Sequence, residues 1–170
     1  MRGDLEHEPS LARAAGADER HQPVRLQQAA YIDLLALPST TRVRYVTLFP
    51  KPGTNIVMLL ALNDNKDLYA SVWNGTAWGP VDTLETNTQT DTNECYSLAW
   101  ESLGGDAVLV YSEDGVTLPR YRTWNGASWS HEGSLPSVGG TMKWIRVVAD
   151  PASDQILFGS LDKNMDLNAN

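Results

Sequence analysis

The chain has little cysteine and no long hydrophobic run, and each shortage excludes a class of protein. Its single cysteine, Cys95, excludes an internal disulfide framework and a cysteine-based zinc cluster. We expect Cys95 to act as a small buried hydrophobic residue. The longest apolar run, from Ile56 to Leu62, is far too short to span a membrane.

Basic residues and histidines are also few. The 170 residues include 13 Lys and Arg against 21 Asp and Glu, which gives a net charge of -8. Binding to a nucleic-acid backbone needs clustered Lys and Arg, so we expect no nucleic-acid partner and attribute the charge to solubility. The three histidines are scattered along the chain, so neither a metal triad nor a Ser-His-Asp arrangement is apparent.

What the sequence does contain is a repeat. The motif Trp-Asn-Gly-Thr-Ala-Trp at 73–78 returns 51 residues later as Trp-Asn-Gly-Ala-Ser-Trp at 124–129. Around it, residues 45–78 align with residues 96–129 without a gap. A third copy starts at Trp144 and stops before its own Trp-Asn-Gly is due. Such periodicity is typical of tandem structural units.

Each unit has the pattern of four short strands joined by tight turns. In the first unit the predicted strands cover residues 42–49, 56–62, 67–73 and 76–84. The Asn74-Gly75 pair predicts a two-residue type I′ turn, which needs positive φ at both central residues. That turn would place Ser71 opposite Trp78, so that the two tryptophans of the motif lie diagonally on one face of the sheet.

The fold class that follows is all-β. Repeated four-stranded antiparallel units predict a partial β-propeller of about two and a half blades, with an open stack of sheets or a β-sandwich as the alternative. Residues 1–30 lack the repeat and are expected to form a tail or short helices, and residues 31–170 the β-repeat domain. The last repeat is incomplete, so its strand edges would be open to further blades or to identical copies.

The repeated aromatic residues are the first candidates for ligand binding. Exposed tryptophans can stack on sugar rings, but tryptophans that recur once per unit are more often the packing between adjacent sheets. Arg122 is expected opposite Trp129, where its guanidinium would make a cation–π contact. The candidate ligand-binding residues are Trp73, Trp78, Trp124, Trp129 and Arg122.

A candidate metal site lies in the third copy. Asp162, Asn164 and Asp166 place oxygen side chains at alternate positions of a tight loop, the spacing with which calcium loops wrap a hard cation. Leu167 stands where such loops need glycine, and Asn and Asp also favour plain hairpin tips. Calcium binding and a polar hairpin tip are the two interpretations of this loop, and no other cofactor is expected.

No pattern of acids and bases predicts catalysis. Carboxylates are frequent, but nothing in their spacing selects a pair suited to glycoside hydrolysis. The arginines of the repeat region do not match the set that a sialidase needs. The two Gly-Gly pairs follow loops and do not open a helix, so no phosphate cradle is predicted. We therefore expect a protein that is not an enzyme.

The repeats resemble a known class of proteins. The runs at 67–79, 120–130 and 135–141 are similar to tandem repeats of large bacterial secreted or cell-surface proteins. Those arrays resemble β-propellers of the Asp-box and sialidase-like kind, and residues 112–117 resemble an Asp-box that lacks one residue before its glycine. The resemblance covers residues 35–170 and implies an extracellular or cell-surface location.

The expected function is a non-catalytic extracellular repeat module for binding, adhesion or scaffolding, with a glycan or protein surface as partner. One alternative is a self-assembling structural subunit that completes a propeller or filament through open strand edges. Another is a fragment of a sialidase-like glycoside hydrolase whose catalytic residues lie in other blades. The N-terminus has early acids and no apolar stretch typical of a secretion signal, so the location rests on the resemblance.

Overall fold

The computed structural model describes residues 35–89 and 93–169, which belong to a compact unit spanning Asp33–Asn170. The expectation of a tail or short helices at 1–30 lies outside these residues. The described part of the chain contains eleven β-strands and no helix, which confirms the all-β fold class. With no helix there, that part also has none that could cross a membrane.

The strands form three antiparallel sheets in chain order, and each strand pairs with its neighbour in sequence. The first sheet contains β1 (Val43–Pro50), β2 (Val57–Asn63), β3 (Leu68–Trp73) and β4 (Asp82–Glu85). The second contains β5 (Tyr96–Trp100), β6 (Ala107–Tyr111), β7 (Arg120–Trp124) and β8 (Gly133–Ser134). The third contains β9 (Met142–Ala149), β10 (Ile156–Asp162) and β11 (Leu167–Ala169). The predicted four-stranded unit is thus present twice, followed by three strands of a third.

The sheets pack face to face through two apolar clusters. The first cluster joins the first and second sheets, and Leu68, Tyr96 and Leu109 within it have no exposed surface. Cys95 is fully buried in the same cluster, as expected. The second, smaller cluster joins the second and third sheets and includes Phe158. The middle sheet therefore buries apolar side chains on both faces, which is what holds the stack together.

Side chains alternate between the two faces of a sheet, and the stack gives each face a direction. The front face of the second and third sheets contacts the sheet before it, and the back face points away. The front faces carry Val46 and Leu48 in the first sheet, Tyr96 and Leu98 in the second, and Ile145 and Val147 in the third. The back faces carry Leu60 and Leu68 in the first sheet, Val108 and Val110 in the second, and Trp144 and Leu157 in the third.

The third sheet repeats the first in register, as the sequence predicts. Tyr45 pairs with Leu62, and Trp144 pairs with Leu161, each 99 positions further along. The backbone conformations agree as well, because Lys66 and Met165 are both non-glycine residues with positive φ, at 74° and 69°. The two hairpin turns therefore share one geometry.

The second sheet does not follow the ungapped alignment. Tyr96 pairs with Tyr111, and Val46 pairs with Ala61 on the same front face, so Tyr96 corresponds to Val46 and not to Tyr45. The second unit carries one extra residue in the turn between β6 and β7, which restores the match at the tryptophan motif. A shift of one residue moves a side chain to the other face, and the two aligned tyrosines consequently lie on opposite faces of their sheets.

Candidate functional site

The Trp-Asn-Gly hairpins have a four-residue loop instead of the predicted two-residue loop. Trp73 pairs directly with Trp78, and Trp124 pairs with Trp129. Gly75 has φ 101°, but Asn74 does not adopt the positive φ of a type I′ turn. Its side-chain Oδ1 instead accepts the backbone N–H groups two and three residues on, at 2.9 and 3.0 Å. The asparagine side chain therefore closes the loop together with the backbone hydrogen bond from the N–H of Asn74 to the carbonyl of Ala77 at 3.1 Å.

Direct pairing brings the two indoles of each motif into contact. Their ring centroids are 5.6 Å apart at an interplanar angle of 61° in the first motif, and 5.4 Å apart at 55° in the second. Tilted contacts of this kind are favourable for aromatic rings. They do not form one flat platform, so a sugar ring would stack on a single indole of each pair.

The two tryptophan pairs have different surroundings. Trp124 and Trp129 pack against the first apolar cluster, between the first and second sheets. Trp73 pairs with Val57 on the front face of the first sheet, away from the second sheet. Packing between sheets is therefore the structural role of the second motif only.

An open cavity of about 500 Å³ lies beside the second motif. Trp124, Trp129 and Arg122 line it from the second sheet, and Asp82 lines it from β4 of the first sheet. His131, two residues after the motif, also contributes to the wall. The cavity thus combines an aromatic surface with groups that donate and accept hydrogen bonds, which is the usual composition of a small-ligand site.

The predicted stacking of Arg122 on Trp129 is not present in the structure. Nη1 of Arg122 donates a hydrogen bond to the carbonyl of Ser130 at 3.1 Å, and its Nη2 lies 4.0 Å from the carboxylate of Glu132. The same carboxylate accepts the hydroxyl of Tyr111. Burial, and then this contact, raise the pKa of Tyr111 above its ordinary value, so the hydroxyl stays protonated and keeps donating. These contacts fix the guanidinium at the cavity wall.

Two buried donors in this wall lack a partner. Within the described residues, Nε of Arg122 and Nε1 of Trp129 have no hydrogen-bond acceptor. A buried donor without an acceptor costs about 1–3 kcal/mol.

The candidate metal loop forms a hairpin tip. Asp162 is fully buried, and its Oδ1 accepts the backbone N–H groups two and four residues on, at 2.9 and 3.0 Å. Asn63, at the same position of the first sheet, accepts the corresponding groups at 2.9 Å each. The described chain holds no group of three or more His, Cys, Asp or Glu placed to bind a metal. The Oδ1 atom of Asp162 therefore makes the turn contacts that the amide oxygen of Asn63 makes in the first sheet, while its Oδ2 accepts a hydrogen bond from Nδ2 of Asn168 at 3.5 Å.

This comparison makes a prediction for Asp162. Asp162→Asn is expected to change the free energy of unfolding little, because Asn63 holds the same turn with an amide. Asp162→Ala is expected to cost about 1–3 kcal/mol, because two backbone N–H groups of the turn lose their acceptor, at about 0.5–1.5 kcal/mol for each hydrogen bond. Urea denaturation measures both. A calcium-dependent rise in Tm of the wild type that Asp162→Asn removes would contradict the structural role.

The segment that resembles an Asp-box is also a turn. Glu113 forms an isolated bridge with Thr88, Gly115 has φ 75°, and the N–H of Val116 donates to the carbonyl of Glu113 at 3.2 Å. It connects β6 to β7 and holds the extra residue of the second unit. Asp82, by contrast, is not predicted as a site residue, because the meeting of two sheets brings it to the tryptophans. His131 lies two residues after the motif, so its closeness in sequence was the signal that could have identified it.

Comparisons of this chain with protein-family models, curated proteins and solved structures found no match. The function is therefore inferred from the geometry of the cavity and from the repeat.

Proposed function

We propose that the chain is a non-catalytic extracellular repeat module, built as part of a β-propeller, which binds glycans at the cavity beside Trp124 and Trp129. The observation that carries the proposal is the meeting of a half-buried indole pair with Arg122 and Asp82 in one open cavity. Indole faces suit the apolar faces of sugar rings, and a guanidinium and a carboxylate suit their hydroxyl groups. The extracellular location follows from the resemblance of the repeats.

The stacking of the sheets supports the propeller architecture. A two-layer sandwich buries one face of each sheet, whereas the second sheet here buries both faces between neighbours. Radial repetition of four-stranded meanders produces this arrangement. Further blades would continue the same stacking on either side.

The composition of the cavity supports binding without hydrolysis. Glycosidases of the common kind use two carboxyl groups on either side of the scissile bond. Among the described residues that line the cavity, Asp82 is the one carboxylate. Hydrolysis would need a second acid there.

The test is a glycan array probed with the labelled protein, followed by calorimetric titration of the best glycan. Trp129→Ala is expected to weaken binding at least about tenfold, or about 1.4 kcal/mol, because the stacking surface is lost. Trp78→Ala is the matched control, since it alters the same motif position on the front face of the first sheet and should bind normally. Circular dichroism confirms that both variants fold.

Several results would contradict this function. Equal loss of binding in both tryptophan variants would mean that the cavity beside Trp124 and Trp129 is not the glycan-binding site. An array without any bound glycan would favour a protein ligand. Turnover of a fluorogenic glycoside that Asp82→Asn abolishes would show an enzyme.

A further inference from the structure

The back face of the third sheet is exposed at positions that the first sheet buries. Leu68 is 0% exposed, whereas Leu167, which takes its place in the third sheet, is 84% exposed. Met58 is likewise 0% exposed, and its counterpart Leu157 is 54% exposed. The sequence thus keeps apolar side chains on this face, although no described part of the chain covers them as the second sheet covers the first.

This face is also concave. Gly159 stands at the position of Leu60 in the first sheet. Around it, Trp144, Leu161 and Leu167 line a groove of about 250 Å³, together with Arg146. The guanidinium of Arg146 lies 5.9 Å from the ring centroid of Trp144 and donates to the carboxylate of Glu94 at 2.8 Å. A groove of this kind accepts a protruding aliphatic side chain from an opposing sheet.

The complementary surface lies at the other end of the stack. Val46 and Leu48, on the front face of the first sheet, are 59% and 55% exposed. They occupy the positions of Tyr96 and Leu98, whose side chains cover the back face of the first sheet. Ala61 and Tyr69, further along this front face, are buried, so the open part is the side formed by β1.

We infer that a second copy of this chain docks on the back face of the third sheet, with its own Val46 and Leu48 entering the groove beside Gly159. The contact continues the packing between the described sheets, in which a front face always covers a back face. It is heterologous, so it generates either a closed ring or an open filament. Two copies would bring six sheets together, within the range of about four to eight blades at which propellers close.

This interface differs from pairing between open strand edges. It uses the side chains of sheet faces, whereas edge pairing uses backbone hydrogen bonds of the outer strands. It is also independent of the tryptophan cavity, so the glycan proposal can fail without affecting it.

The test exploits the two different ends of the interface. Leu48→Asp places a charge on the front face, and Leu157→Asp places one on the back face. The wild-type chain is expected to elute with the mass of two or more copies in light scattering coupled to size exclusion, and each variant alone as a monomer. An equimolar mixture of the two variants is expected to form a one-to-one dimer, because one intact front face can still meet one intact back face.

Leu103→Asp provides the matched control. Leu103 is 71% exposed in the turn between β5 and β6, outside both faces, so its variant should associate as the wild type does. A wild-type chain that is monomeric at all concentrations would overturn the inference. So would a Leu48→Asp or Leu157→Asp variant that still dimerises alone, or a mixture that stays monomeric while circular dichroism shows native strands in both variants.

Discussion

Leu68→Ala is expected to lower the free energy of unfolding by about 2–5 kcal/mol, because it empties a fully buried site between two sheets. Leu167→Ala, the same substitution at the equivalent position of the third sheet, is expected to change it by no more than about 0.5 kcal/mol. That side chain is 84% exposed and leaves no cavity. Urea denaturation at low protein concentration measures both values without a contribution from association.

The pair is informative because the two leucines stand at equivalent positions. Each is the first residue of its strand and follows a turn of the same geometry. Each pairs with a leucine of the preceding strand, Leu62 in one case and Leu161 in the other. They differ in that Leu68 is covered by the second sheet and its strand also pairs with β4, whereas Leu167 is uncovered and lies on the edge strand of the third sheet. Equal losses for both variants would mean that the first and second sheets do not pack face to face.

Phe158→Ala is expected to cost about 3–5 kcal/mol, since it removes a large buried side chain from the contact between the second and third sheets. That cluster has four buried residues within the described chain, so one phenyl ring is a large share of it. We expect the third sheet to loosen before the other two. Hydrogen exchange should then rise selectively at β9 and β10.

The neighbouring residue supplies the control for this substitution. Leu157 lies on the opposite face of the same strand and is 54% exposed, so Leu157→Ala should leave both stability and exchange near the wild-type values when both are measured at a protein concentration too low for association. A Phe158→Ala variant whose amide exchange rises equally in all three sheets would show a single cooperative unit instead of a separately held third sheet.

Local chemistry in the sequence predicted much of this fold. Alternating and continuous apolar runs predicted β1 to β3 to within a residue or two, and the Asn-Asp tips predicted the turns at Lys66 and Met165. The Trp-Asn-Gly turn was predicted wrongly, because the Asn74 side chain can bond the backbone itself and so stabilise a longer loop. Because the loop has four residues, Trp73 pairs directly with Trp78.

Strand register was harder to predict than strand position. The tyrosines at 45 and 96 match in an ungapped alignment, and either face of these strands is apolar enough to be buried. Hydrophobic pattern fixes register only when one face is polar. The apolar pattern therefore does not reveal the extra residue before Arg120. Because of that residue, Tyr96 corresponds to Val46 and lies on the front face.

The candidate site was predictable only in part. Trp124, Trp129 and Arg122 are close in sequence, and the structure brings them to one cavity. Trp73 and Trp78 do not join them, because their motif lies on the front face of a different sheet. Asp82 reaches the cavity from the neighbouring sheet, and such a contact depends on tertiary packing that no local spacing encodes.

Face-to-face packing of repeated sheets is tested most directly at Trp100. Its indole N–H donates to the carbonyl of Phe49 across the first two sheets, at 3.0 Å. A nuclear Overhauser spectrum in solution should show cross-peaks between this N–H and protons of Phe49. A hydrogen-exchange measurement should show that the same N–H exchanges slowly with solvent. An indole N–H that exchanges as fast as free tryptophan, with no cross-peak to any residue of the first sheet, would contradict the packing.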